Sequence, residues 1–404
     1  MARNQLPPQI RKITVRDRKS HKPLIRYQVT VDTGTRTAVE VDADGVPRTV
    51  SKRTQTRRRY KTEQEARTAL AATLNSVNDG LYVHTSELTV EMAIEYWLTS
   101  KHSLKPSSLH GHRTNLRPVV SELGQIPIQK LTKPHIESLV KALRAGGLPT
   151  PQGRPRKPWS ARTVNYMLGL LSSVLQDQMR QGNIVRNVAA MVDRLPSEAR
   201  EMDTLSRTEA AKLLAHVGRE PLPQAWQLAM HGLRRGEIAG LRWSDVDLTK
   251  SKLKIANTRI AVGSTIIEGP PKTKKSRRTL PLTKPLAAAL KAARAQQAQE
   301  KLTLGEHYQD SDYVVRLPTG LPVHPNLLTF RWKKILEYAG LEYAGLKHVR
   351  LHDARHTCAT LMHLQGIPIA VIAAWLGHAS AAFTLSVYAH SQEEALMEAA
   401  SSFE

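Results

Sequence analysis

Apolar residues recur along this chain at two spacings. Between residues 25 and 32 they alternate with polar ones, with Ile25, Tyr27, Val29 and Val31 on one side, which predicts a β-strand. Residues 46–60 predict another strand, ending in Arg57-Arg58-Arg59-Tyr60. Thr62 followed by Glu65 is a capping-box pattern, so a helix is expected to about Val77, stopped by Asn78-Asp79-Gly80. From residue 87 to about 195 the spacing becomes helical, in Leu88–Leu98, Leu109–Leu123, Ile136–Leu143 and Ala161–Gln181. The stretch 145–159 interrupts this with three glycines and four prolines, which predicts a loop, and Arg154, Arg156 and Lys157 make it basic. Residues 192–203 read as a polar linker.

A second capping box, Ser206 to Glu209, opens a helix to about Val217. Trp226–Leu241 then predicts a helix with Arg234 inside it. Lys252–Ala261 and Ser276–Leu282 predict strands, with residues 270–275 turning between them, and helices are expected through most of the rest to Ser401. The pentapeptide Leu336–Gly340 repeats at Leu341–Gly345, a local duplication at a helix end. These patterns predict a multidomain, mainly α protein with small β elements. The expected parts are an α+β module over 1–84, an all-α domain over 87–195, and a mainly α domain with a small antiparallel sheet over 204–404.

Charge sharpens this picture. The chain has 404 residues, enough for two or three domains, and a formal net charge of +24. So large a surplus points to a polyanion, nucleic acid being the usual one. Residues 1–61 alone carry 16 basic and 5 acidic side chains, a basic arm of the kind that meets phosphates, with Arg57, Arg58 and Arg59 as candidate contacts. In the helical region Lys101, His102, Lys105, His112 and Arg113 could form a DNA-facing surface or a solvated one. No run of about 18 apolar residues and no secretory signal pattern is seen, so no membrane partner is expected. The single cysteine, Cys358, cannot form an intrachain disulfide; it fits a reducing cytosol and reads as core.

The candidate chemistry lies in the last third. Leu351-His352-Asp353-Ala354-Arg355-His356-Thr357 is followed by Leu376-Gly377-His378 and, ten residues on, Tyr388. Upstream stands Gly232-Leu233-Arg234-Arg235-Gly236-Glu237. Cleaving a phosphodiester requires neutralising its charge, aligning a nucleophile and protonating the leaving oxygen. Guanidinium forks suit the first task. His352 and Arg355, three apart on a predicted helix, share a face. A tyrosine phenol, with a pKa of about 10, needs a base and cationic surroundings to attack.

Taken together these residues resemble the tyrosine recombinases of the phage integrase type. The likeness is strongest over 204–404, good over 87–195, and weakest in the arm. It implies that Arg234 and Arg355 clamp the scissile phosphate, that His378 hydrogen-bonds it, and that His352 assists proton transfer. Tyr388 would attack, leaving a 3′-phosphotyrosyl link and a free 5′-hydroxyl. Lys272 would protonate the leaving oxygen, with Lys274 and Lys275 as nearby alternatives, and Glu237 would support the arginine or the hairpin. No metal or other cofactor is implied.

The resemblance also implies a module at 1–84 that binds arm-type DNA, with 87–195 and 204–404 closing on crossover DNA as a clamp. It implies a homotetramer on two double-stranded DNA duplexes, exchanging strands through a Holliday junction. A DNA-bending host factor and an excisionase are possible partners, and the setting is a bacterial host's cytoplasm and nucleoid. The tail after Tyr388, with Ala395, Leu396, Ala399 and Phe403, could dock on its own domain or on a neighbour.

Three rivals stay open at this point. His352 and His356, at i and i+4 around Asp353, echo a zinc-protease helix; chelator sensitivity separates that chemistry from a tyrosine recombinase. A DNA-binding relative without catalysis and a type IB topoisomerase are the others. Tyr313, Tyr338 and Tyr343 are alternative nucleophiles, but none follows the glycine–histidine step.

Overall fold

The computed structural model describes residues 6–17, 22–41, 47–78, 82–83, 86–146, 153–155, 157–197, 203–271, 273–343 and 346–378. Side chains at 33–41, 47–53, 78, 274 and 341 are outside that description, and so are Arg156, Lys272, Tyr388 and the tail from Ser391 to Glu404. The chain divides into two compact units, residues 1–197 and 198–404.

The first unit begins with an antiparallel sheet of β1 (Ile10–Arg16), β2 (Pro23–Val41) and β3 (Pro47–Tyr60), with β2 central. Helix α1 (Glu63–Asn78) packs on it. The expected capping box forms: Thr62 Oγ1 accepts from the Glu65 N–H at 3.2 Å, and Glu65 Oε2 accepts from the Thr62 N–H at 3.4 Å. Val29 and Val31 face Ile10, Ala66 and Leu70 in a small core. Ile25, expected on the same buried side, is 51% exposed. Arg57, Arg58 and Arg59 are all exposed on the edge strand β3, in register with Thr30, Val29 and Gln28.

Four helices follow: α2 (Val90–Thr99), α3 (Pro106–Leu123), α4 (Lys133–Ala145) and α5 (Ala161–Arg180). Their apolar stripes meet in one core, with α5 contributing Val164, Met167, Leu168, Leu171, Val174 and Leu175. Proline at the start of α3 and left-handed Gly146 after α4 set two of the boundaries. Among the suggested basic face, Arg113 pairs with Glu95 at 2.8 Å, and Lys101 lies 4.7 Å from the Trp97 ring centroid. His112 sits half-buried between the rings of Trp97 and Tyr166. Arg154 and Lys157 are exposed.

The second unit opens with α6 (Arg207–Val217), capped reciprocally by Ser206 and Glu209 as expected. The predicted helix over 226–241 is instead two: α7 (Pro223–Met230) and α8 (Arg235–Gly240). Gly232, at φ 85°, reverses the chain between them, and Arg234 becomes the N-cap of α8 rather than an interior residue. The predicted strand 252–261 also divides. A sheet of β4 (Val246–Asp247), β5 (Lys252–Ile255) and β8 (Arg278–Pro281) is separate from a hairpin of β6 (Thr258–Val262) and β7 (Thr265–Gly269). Asn257 marks the break, its amide donating to Gly240 O at 3.0 Å and to Glu268 Oε1 at 2.8 Å.

Helices α9 (Lys284–Leu304), α10 (Pro325–Glu342), α11 (Leu351–Leu364) and α12 (Ile369–Leu376) follow among the described residues. Trp226 on α7 and Trp332 on α10 are fully buried, 5.9 Å apart, at the centre of its core. The second copy of the pentapeptide extends α10, so that Glu342 accepts from Arg219 and pairs with His216 on α6. Among the described residues no helix is long and apolar enough to cross a membrane.

Helix α8 lies directly on β6. A Cβ on Gly240 would stand 2.7 Å from Thr258 Cα and 2.8 Å from Arg259 N, both backbone atoms that cannot step aside. Gly240→Ala is therefore expected to destabilise the protein by about 1–3 kcal/mol through overpacking. A thermal unfolding midpoint equal to wild type would contradict this close contact.

Candidate active site

The end of α12 is where the candidate residues meet. Gly377 is left-handed at φ 66°, and the backbone N–H groups of Gly377 and His378 turn back to Ala374 and Ala373 carbonyls, closing the helix. Carbonyls at this end still point outward, and guanidinium groups take them. Arg234 Nη2 donates to Gly377 O at 3.1 Å, and Arg355 Nη2 donates to Leu376 O. A helix C-terminus carries partial negative charge, so cations gather there. Arg234 and Arg355, 121 positions apart in sequence, thus arrive on adjacent residues immediately before His378.

Their surroundings differ. Arg355 is 2% exposed; besides Leu376 O it donates from Nη1 to Gly232 O. That Gly232 carbonyl belongs to the reversal between α7 and α8, so the break missed in the sequence pattern supplies a partner to the site. The Arg234 side chain is 35% exposed and can meet solvent. Glu237, 2% exposed, accepts from the Arg234 N–H at 2.9 Å and from Arg234 Nη1 at 2.8 Å. Burial alone would raise its carboxyl, but hydrogen bonds and charge from Arg278, then Arg234, hold it below the ordinary carboxylate range.

Arg278 was not singled out by the sequence pattern. It faces inward on β8 with Leu280, two residues on, and its Nη1 and Nη2 donate to the two Glu237 oxygens at 3.1 Å each. A basic residue on the buried side of a predicted strand was the available signal, because such a charge requires an acid partner. A similar pairing starts α11: Arg350 is its N-cap and donates from Nε to Asp353 Oδ2 at 2.7 Å, while buried Asp353 accepts from the Arg350 N–H at 3.0 Å. Thr357 Oγ1 accepts from the buried Leu205 N–H at 3.1 Å, fixing α11 to the start of the unit.

Three imidazoles line the cationic cluster. His352 is exposed and His356 buried, their rings edge to face at 5.1 Å. Crowding by surrounding protein, then the Arg355 charge, lowers the His352 pKa. Burial, followed by nearby positive charge, pushes His356 and His378 down to about 4. At neutral pH each ring is uncharged and retains one N–H to donate. Among the described residues no group of His, Cys, Asp or Glu is arranged to hold a metal ion. Cys358 lies inside the cluster of helices, and burial pushes its thiol up to about 12, so it is no nucleophile.

The arrangement can present fixed positive charge and a neutral donor to one anionic oxygen group. Arg235 points elsewhere, to Thr329 Oγ1 at 3.0 Å. Tyr313 is engaged with Glu268, and Tyr338 is exposed on α10. Arg57, Arg58, Arg59, Arg154 and Lys157 all belong to the first unit. Tyr388, Lys272 and Arg156 lie outside the described residues.

Known proteins resemble this chain in sequence and in fold. The model of the phage integrase family matches residues 205–395. The tyrosine recombinase XerC-like protein of Caldanaerobacter subterraneus subsp. tengcongensis is 28% identical over 355 residues, spanning 82% of this chain and 86% of that one. The ICEBs1 integrase of Bacillus subtilis is 27% identical over 268 residues, 65% of this chain and 68% of its own. In structure, the Tn1549 transposon integrase bound to transposon right-end DNA superposes with a TM-score of 0.62 at 16% identity, covering 77% of this chain and 99% of that chain. The lambda integrase of a tetramer bound to a Holliday junction superposes with a TM-score of 0.54 at 16% identity, over 95% and 96%. The fold is that of these integrases, and residues 205–395 form a phage integrase family domain.

Proposed function

We propose that the protein integrates or excises phage or mobile-element DNA by cutting and rejoining strands through a 3′-phosphotyrosyl intermediate. The observation that carries this is the convergence of Arg234, Arg355 and His378 at the end of α12. Arg234 and Arg355 neutralise the nonbridging oxygens of one phosphate, and His378 donates a hydrogen bond to it. His352, unprotonated at neutral pH, helps take the proton from the Tyr388 phenol. The phenolate oxygen bonds phosphorus, the bond to the 5′-oxygen breaks, and Lys272 gives that oxygen its proton. Attack by a 5′-hydroxyl then reverses the step. The covalent link conserves the phosphodiester bond, so neither metal nor nucleotide is consumed.

In this reading residues 1–84 hold arm-type DNA, with Arg57, Arg58 and Arg59 on the exposed edge strand available to phosphates. Residues 87–195 hold core-type DNA together with residues 204–404, and Arg154, Arg156 and Lys157 supply further basic contacts. Four copies assemble on two duplexes and exchange strands in pairs through a Holliday junction. A DNA-bending host factor and an excisionase set direction, in the cytoplasm of a bacterial host on nucleoid DNA.

A suicide substrate carrying the crossover site tests the chemistry. Wild type should form a covalent adduct with and without EDTA, and Tyr388→Phe should bind the same DNA but form none. An adduct in Tyr388→Phe, or its loss with chelator, overturns the mechanism. Arg234→Ala and Arg355→Ala should each slow adduct formation by about 10²-fold or more; a rate near wild type removes that residue from the clamp. A chain lacking residues 1–84 should still cleave the crossover site while losing most integration in a two-plasmid assay. Undiminished integration would refute the arm's role.

A further inference from the structure

We propose that Arg278 is a positioning residue for strand cleavage, holding Arg234 and His378 in register through the groups it grips. The proposal rests on the reading above, in which those two residues bind the scissile phosphate.

The Arg278 side chain, 6% exposed and directed inward, joins three separate segments. Its Nη1 and Nη2 engage both oxygens of Glu237 at 3.1 Å, and Glu237 in turn holds the backbone and Nη1 of Arg234. Its Nε donates to Trp375 O at 2.5 Å, in the last turn of α12. Its Nη1 also donates to Ser276 O at 3.2 Å, in the stretch leading into β8. A Cβ on Gly377 would lie 3.1 Å from Arg278 Nη1, so the guanidinium packs against the residue just before His378. Trp375 is held from its other end as well, its indole N–H donating to His231 O at 2.9 Å. One planar group therefore sets the start of α8 against the end of α12, the two places from which Arg234 and His378 project.

A plain structural ion pair would need only the charge. This arrangement needs the fork, since a lysine ammonium is a single point and cannot face a carboxylate edge-on while also donating to two carbonyls. Positioning errors well under the length of a bond to the phosphate are costly in rate, because the clamp acts only when both arginines address the same oxygens.

The experiment uses the full chain and single-turnover cleavage of a suicide crossover substrate, for wild type, Arg278→Lys, Glu237→Gln and the double variant. Thermal midpoint and affinity for uncleaved DNA are measured alongside. Arg278→Lys should stay folded and bind DNA within about twofold of wild type, while its adduct rate at saturating DNA falls about 10²-fold. The double variant should be no slower than the slower single, as expected of residues acting as one unit. Unchanged rate at saturating DNA, a defect confined to affinity, or losses that multiply overturns the proposal. Should Arg278→Lys fail to fold, Glu237→Gln must show the same division between affinity and rate, and a wild-type rate there overturns it. If wild type itself forms no adduct, the recombinase mechanism has failed and the proposal falls with it; a wild-type adduct with an unaffected Arg278→Lys condemns the positioning role alone.

Discussion

One buried carboxylate organises the cationic centre of this molecule. Glu237, at the third position of α8, meets Arg234 from its own helix and Arg278 from β8. Taking Glu237 and Arg278 out of water is costly, and it is tolerated here because every oxygen of the acid is hydrogen-bonded. Removing Glu237 would leave Arg278 as an uncompensated buried charge, a loss on the order of 3–5 kcal/mol. Such a group is better suited to fixing geometry than to adding stability. It keeps the guanidinium of Arg234 directed to the end of α12 while leaving part of it open to solvent.

The same local device opens two helices. Arg234 caps α8 with Glu237 three residues on, and Arg350 caps α11 with Asp353 three residues on. In each the acid accepts from the N-cap backbone and from the arginine side chain, so the backbone and a long basic side chain are held together. The two helices then bring their arginines to one place from different directions: Arg234 from a cap, Arg355 from one turn inside α11. Since Arg355 also binds the Gly232 carbonyl, the turn that begins α8 and the interior of α11 cannot shift independently.

Much of the fold was legible because its signals are local. The capping boxes at Thr62 and Ser206 depend on residues three apart and formed as expected. The long apolar stripe of α5 depends only on helical spacing. What escaped were features set by distant partners. Residues 226–241 keep helical spacing, yet Gly232 turns because the end of α12 occupies the space beside it. Residues 252–261 look like one strand, yet Asn257 is diverted to Gly240 and Glu268. The candidate site divides similarly. Spacing and resemblance selected Arg234, Glu237, His352, Arg355 and His378, and the structure gathers them. Spacing did not reveal Arg278, or the depth at which Arg355 is held.

The lone cysteine has a practical side. Cys358 faces the Gly232 turn, where its sulfur would stand 3.3 Å from an added Cβ, and its thiol is pushed up to about 12. At pH 8 roughly one part in ten thousand would be thiolate, the form that reacts with maleimides. A cysteine introduced on an exposed surface would thus outcompete it by a wide margin. Fluorophores could be attached at chosen surface positions on the native background, with Cys358 left unlabelled.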